Sequence, residues 1–282
     1  MVSVFAANSN YWYSVAEKFI IPYEKQCCAL MQRVILRDDC VFIIGDSSAC
    51  KDEAHVKGVL SYNMGKTVFH CLPDKSPEVF DALKEFFGTR RIFCITGERD
   101  GTEFIQRVIQ ELGVDKQSEV REYRFLEYHK NKTAQGAVDI EKIVRCSKED
   151  IDELMPLQSE YITIEVLPAT RKINLAAERL SFEHTVSEQY VFATKIDNEI
   201  VAKAQTNALG VNYAQIGGVY TKEAFRRRGI ASRLVAHIAN YILEIGKRPI
   251  LFVKEKNLTA YHAYQRAGFE ESAKYRIVYY KE

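Results

Sequence analysis

The chain has 282 residues, with 39 Lys and Arg against 38 Asp and Glu, for a net charge of +1. That balance excludes a general attraction to nucleic acid or an anionic membrane, and no apolar run approaches the ~20 residues that span a bilayer. At roughly 100–200 residues per domain the length predicts two domains; seven cysteines without a C-x-x-C pair argue against a metal site.

The N-terminus, Met1-Val-Ser-Val-Phe-Ala-Ala-Asn8, has neither a basic start nor a continuous apolar run. A cytoplasmic protein without a signal peptide is expected. Tyr11 to Leu36 is helical in pattern, with Phe19, Ile20, Leu30, Met31 and Val34 apolar and Pro22 near a helix start. Strands are expected over 41–45, 56–62 and 67–72, with Asn63-Met-Gly65 as a turn. Ser76 is placed to cap a helix from Pro77 to Phe87. A strand over 91–96, a helix over 102–112 ending at Gly113 and a strand over 123–128 follow. Polar His129 to Gly136 is the expected linker, dividing the chain into domains of residues 1–130 and 136–282.

In the second half, helices are predicted over 150–161 and 173–184, then strands over 190–196 and 200–206 flanking the turn Asp197-Asn198. Gln215 to Thr221 reads as a strand that Gly217-Gly218 interrupts, the signature of a bulge or a close backbone approach. It leads into Lys222-Glu-Ala-Phe-Arg-Arg-Arg-Gly-Ile-Ala-Ser232 and a helix carrying Ile230, Leu234, Val235, Ile238, Tyr241 and Ile242 on one stripe. Ile250 to Val253 is a further strand, and a second helical pattern through Ala260 and Tyr264 ends at Gly268-Phe269.

The junction at 226–232 suits a phosphate. The first N–H groups of a helix have no intrahelical partner, and the aligned peptide dipoles favour an anion by roughly 0.3–1 kcal/mol, up to about 2 when partly buried. Gly229 and Ala231 leave their amides uncovered, and Arg226, Arg227 and Arg228 add charge. Neither the dinucleotide-binding G-x-G-x-x-G nor the Walker loop can be drawn here.

Arg226-Arg-Arg-Gly229-Ile-Ala231 resembles the [QR]-x-x-G-x-[GA] loop of the GCN5-related N-acetyltransferases. Asn257, Ala260, Tyr264 and Gly268-Phe269 resemble that family's second motif, N-x-x-A-x-x-x-Y-x-x-x-G-F. The order of elements over about 136–282 is similar as well. The resemblance implies a mixed α/β sheet fold and transfer of an acetyl group from acetyl-CoA to a primary amine, by direct attack. It further implies that Val219, Tyr220 and Thr221 carry the pantetheine arm and that Arg226, Arg227, Arg228, Gly229, Ile230, Ala231 and Ser232 hold the pyrophosphate. A backbone N–H near Val219 would bind the oxyanion, Tyr264 would protonate the leaving thiolate, and Asn257 would contact the cofactor. The acceptor would be a small-molecule or peptide amine, with neither nucleic acid nor membrane as partner, and a homodimer remains open.

The first half repeats the order of elements, which predicts a tandem of two acyl-CoA N-acyltransferase-like domains with a degenerate first copy. In place of the loop it has His70-Cys-Leu-Pro-Asp-Lys-Ser-Pro-Glu78, and Ile109 stands where Tyr264 stands in the second half. For the general base, Glu165 is the first choice, with Glu183, His184 and His262 as further candidates. A different acyl donor, as in glycine N-acyltransferase-like proteins, and a non-catalytic CoA-binding protein are the alternatives.

Overall fold

A computed structural model describes residues 1–46, 52–113, 116–129, 142–167 and 172–281. Of the expected linker, residues 130–136 lie outside the described residues. The chain forms two compact units, Met1–Phe125 with Ala273–Glu282, and Leu126–Ser272.

The first unit opens with β1 (Ser3–Ala6), α1 (Asn10–Ile20) and α2 (Cys28–Ile35). The single helical pattern over 11–36 is broken by a 3₁₀ turn at Ile21–Gln26 with Pro22 near its start, where proline offers no N–H to the preceding turn. Then come β2 (Val41–Gly45), β3 (Val56–Tyr62), β4 (Thr67–Cys71), α3 (Pro77–Phe87), β5 (Cys94–Glu98), α4 (Arg99–Leu112) and β6 (Gln117–Tyr128). Ser76 stands at the N-cap of α3 as expected, but its side chain makes no capping hydrogen bond. Successive residues of β2 face opposite sides. Ile44 packs with Leu83, Phe87, Ile105 and Val108 of α3 and α4, and Ile43 packs with Ile20, Leu30 and Met31 of α1 and α2. The sheet is thereby covered on both faces.

The second unit runs β7 (Lys142–Arg145), α5 (Ile151–Tyr161), α6 (Leu175–Glu188), β8 (Val191–Ile196), β9 (Glu199–Leu209), β10 (Tyr213–Thr221), α7 (Ile230–Glu244), β11 (Arg248–Lys254) and α8 (Leu258–Arg266). Strands β7 to β10 pair antiparallel in sequence order, and β10 pairs parallel with β11. The stripe Ile230, Leu234, Val235, Ile238 and Ile242 buries α7 against Ala204, Ile216 and Leu251. Each such side chain contributes roughly 1.5–3 kcal/mol over its exposed state. On the other face, Leu154, Leu157 and Phe182 from α5 and α6 pack on Ala193, Ile200 and Tyr220.

The chain ends in β12 (Phe269–Tyr280). Its residues Tyr275 to Tyr279 pair antiparallel with Cys94 to Glu98 of β5. The last ten residues, assigned with the second half by order of elements, thus complete the sheet of the first unit. Val278 and Tyr280 join its core.

Candidate active site

The site is built where β10 parts from β11. The parallel pairing runs from Tyr213↔Arg248 to Ile216↔Leu251 and stops there, although both strands continue. On its other side β10 pairs Gly217 with Gln205 and Tyr220 with Lys203, so three steps on β10 match two on β9. That is a β-bulge carrying one extra residue. Gly218 adopts φ +60 within it, a left-handed conformation that costs an L-residue about 1–2 kcal/mol and glycine little. A Cβ at Gly218 would also meet Gln205 Cδ at 2.7 Å. A Cβ at Gly217 would lie 2.0 Å from Asn207 Nδ2, so close approach accounts for the first glycine of the pair and both constraints for the second.

Beyond the bulge, Val219 packs against the α7 core and Tyr220 is buried. The Tyr220 hydroxyl donates to Glu160 Oε2 at 2.6 Å. Thr221 Oγ1 is buried and has no hydrogen-bond partner among the described residues. An orphaned hydroxyl beside diverging strands fits a ligand with polar groups along its length.

The loop that follows turns through Arg227 at φ 64 and Gly229 at φ 78. Left-handed residues of this kind turn backbone N–H groups to one side and build anion-binding concavities. Arg227 holds the conformation without glycine's freedom, a strain of the sort found at ligand clamps. Gly229 is the N-cap of α7, and no side chain caps the helix. Ile230 and Ser232 are buried and Ala231 is half-buried, leaving the first-turn backbone as the polar surface. These features fit a pyrophosphate.

The three arginines do not act alike. Arg226 Nε donates to Thr221 O at 3.0 Å and its Nη2 to Tyr220 Oη at 3.1 Å, with the guanidinium 5.4 Å from the Tyr220 ring. Arg228 donates to Ala224 O at 3.1 Å and lies over the Phe225 ring. Two of the three expected phosphate ligands therefore brace the loop, although all three arginines are exposed. Arg233, one helical turn on, donates to Arg228 O at 3.0 Å and lies against Gly229. Its spacing of four from Gly229 was the available signal for a cation at this helix start.

Tyr264 on α8 is 8% exposed. Its hydroxyl is pushed above the ordinary tyrosine pKa, first by burial and then by Tyr161 and Glu165. It stays a neutral donor across the physiological range. Asn257 caps α8, its Oδ1 accepting from Ala260 N at 3.1 Å, and its Nδ2 donates to Glu165 Oε1 at 3.3 Å. Glu165 Oε2 also lies 3.0 Å from Lys254 Nζ. The structure thus brings Glu165, Asn257 and Tyr264 together, and gives Glu165 and Asn257 structural partners. Glu183 lies in an ion pair with Arg179 on α6.

In the first unit the corresponding opening is filled. Pairing of β4 with β5 stops at Phe69↔Thr96, and the next residue, His70, is buried with Nε2 2.8 Å from Thr102 Oγ1. A Cβ on Gly97 would lie 2.2 Å from that imidazole and one on Gly101 2.6 Å from it. Burial, and secondarily Lys75, pushes the His70 pKa down to about 3, so the ring is neutral. A 270 Å³ concavity beside it is lined by Cys27, His70, Lys75, Glu98 and Asp100, whose two carboxylates oppose a pyrophosphate.

Residues 152–269 match the family model of the acetyltransferase (GNAT) family. The chain carries a GNAT domain. Among solved structures, a Drosophila protein shares 11% identity over 99% of this chain and 98% of its own, with a TM-score of 0.72. A tandem GNAT protein from the clavulanic acid biosynthesis pathway shares 12% identity over 99% and 97%, with a TM-score of 0.57. A GNAT-family acetyltransferase from Colwellia psychrerythraea shares 9% over 99% and 100%, with a TM-score of 0.58. At such identities the likeness is one of fold, and it spans both halves, in keeping with a tandem of GNAT-like domains. The GNAT segment supports acyl transfer from an acyl-CoA as the reaction class. No described helix is long and apolar enough to cross a membrane, and the described residues hold no cluster of His, Cys, Asp and Glu suited to a metal ion.

Proposed function

We propose that the second unit transfers the acetyl group of acetyl-CoA to a primary amine of a small molecule or peptide, in a cytoplasmic setting. The observation that carries the reading is the coincidence of three features on one strand and its exit: the β10–β11 divergence, the Gly218 bulge and the uncapped left-handed start of α7. Together they offer unpaired backbone groups for a pantetheine arm and N–H groups for a pyrophosphate.

In this reading the neutral amine attacks the thioester carbon, and the carbonyl electron pair moves to oxygen, where the Val219 N–H stabilises it. Collapse re-forms the carbonyl and expels the thiolate, which takes the Tyr264 proton. The amine nitrogen sheds its extra proton to solvent, and Tyr264 is reprotonated. Acid catalysis of this kind contributes about 10²–10⁴-fold, toward the lower end here because a thiolate leaves readily. Glu165, already accepting from Lys254 and Asn257, suits the role of holding α8 in place better than that of a base.

The test is release of CoA thiol from acetyl-CoA with a panel of primary amines. Acceptor-dependent release that Tyr264→Phe slows about tenfold or more, with acetyl-CoA affinity kept within a few-fold, supports the reading. Equal turnover by the variant removes Tyr264 from the mechanism, and absence of thiol release with every amine counts against the activity.

A further inference from the structure

Lys203 is on β9, a strand covered on both faces, and has no exposed surface. Its Nζ donates to Gly218 O at 2.9 Å and to Gln205 Oε1 at 3.2 Å. The rings of Tyr161 and Phe182 lie 4.9 and 5.3 Å from it. Burying a lysine is costly unless its donors are satisfied, and here they are spent on the carbonyl at the apex of the β10 bulge. The Gly218 carbonyl and the Val219 N–H belong to one planar trans peptide, so they point in opposite directions. Whatever holds the carbonyl toward Lys203 aims the N–H away from it. A charged donor on the carbonyl oxygen also draws density from the amide nitrogen, which strengthens that N–H as a donor.

We propose that Lys203 is a positioning residue for acyl transfer: by holding and polarising the Gly218–Val219 peptide it sets the strength of the Val219 N–H toward the thioester oxygen of an acyl-CoA. This rests on the reading that the second unit binds acetyl-CoA. It accounts for a fully buried lysine on a sheet face, and for the bulge's glycine, since a Cβ at Gly218 would displace Gln205, the second acceptor of Lys203. Burial pushes the Lys203 pKa down to about 7, opposed by Glu178 and Cys146. The titratable groups around it are therefore Glu178 on α6, Cys146, Tyr161 on α5 and, across the strand, Tyr220 with Glu160. Cys146 is pushed up to about 12 and Tyr220 above its ordinary value, both first by burial, so neither loses its proton near neutrality.

The experiment is isotope-edited infrared spectroscopy of acetyl-CoA labelled with ¹³C at the carbonyl, bound to the full chain. CoA titration of the parent and of Lys203→Met accompanies it. The parent is expected to shift the thioester carbonyl band to lower frequency than in solution, and Lys203→Met to return it at least about halfway while CoA affinity stays within about threefold. In the parent, the shift should relax in part as the pH rises from about 6 to about 9, through the loss of charge on Lys203, a measurement that needs no variant to fold. A band that is the same in parent and variant, or unmoved by pH in the parent, overturns the role of Lys203. A folded parent that binds neither CoA nor acetyl-CoA overturns the acyl-CoA reading beneath it.

Discussion

Lys203→Met replaces a fully buried amine with an apolar chain of similar length, and its effect on stability should depend on pH. Moving a lysine from 10.5 to about 7 by burial corresponds to on the order of 5 kcal/mol against the folded state when both states would be protonated. That penalty is fully present below about pH 7, where the folded chain also carries the charge. It fades as the pH rises from 7 toward 10.5, because the unfolded chain then binds the extra proton and stability climbs by about 1.4 kcal/mol per pH unit. The variant escapes the penalty but leaves Gly218 O and Gln205 Oε1 without their donor, which costs about 1–3 kcal/mol for each buried group left unsatisfied. Near pH 7 the two effects partly offset. Between pH 7 and 9 the parent should gain about 2 kcal/mol on the variant. Urea unfolding of both proteins at pH 7, 8 and 9 measures this, and taking the difference cancels the titration of thiols such as Cys94, pushed up to about 12 by burial. Parallel profiles, with a difference constant to about 0.5 kcal/mol, would refute the account of Lys203 as a lysine held near neutrality.

Two further outcomes are expected. Glu165→Gln and Lys254→Met should show a coupling in a double-mutant cycle of about 0.5–1 kcal/mol in unfolding free energy, the range for a half-exposed pair at 3.0 Å; independent effects would leave Glu165 free for another role. Gly97→Ala, whose new methyl would meet the His70 ring at 2.2 Å, should destabilise the protein by about 1–3 kcal/mol through overpacking while CoA affinity is unchanged. A neutral effect on stability would show that His70 can leave the cleft of the first unit.

Much of the backbone geometry at the bulge and at the start of α7 was legible in the sequence because its constraints are local. Gly229 must be left-handed to start α7, and Gly217-Gly218 must bulge a strand that otherwise alternates, so both announce themselves in a few residues. The roles of the arginines were not, since Arg226 and Arg228 are claimed by Tyr220, Thr221 and Ala224 only once the loop has folded back on the strand end. Glu165 offered no sign of its partners, which lie about 90 residues away in sequence at Lys254 and Asn257. Lys203 was invisible for a different reason. A lysine in a strand reads as a solvent-facing residue, and only the packing of Tyr161 and Phe182 over that face shows that it is enclosed. The path of β12 was lost in the same way, since a strand's own residues name no partner and it pairs with β5 through tertiary contacts.

The most direct test of the cofactor site is isothermal titration of acetyl-CoA into the parent and into Gly229→Glu. The substitution places a left-handed glutamate where φ is +78 and where a Cβ lies 2.7 Å from Arg233 Nη1, at a cost of about 1–2 kcal/mol from the backbone alone. It also sets a negative charge against the pyrophosphate at the start of α7. Binding by the parent, weakened at least about tenfold in a variant that keeps its circular dichroism spectrum, is the predicted result. A folded parent that binds no acetyl-CoA would contradict the account, and equal binding by both proteins would move the pyrophosphate away from Gly229.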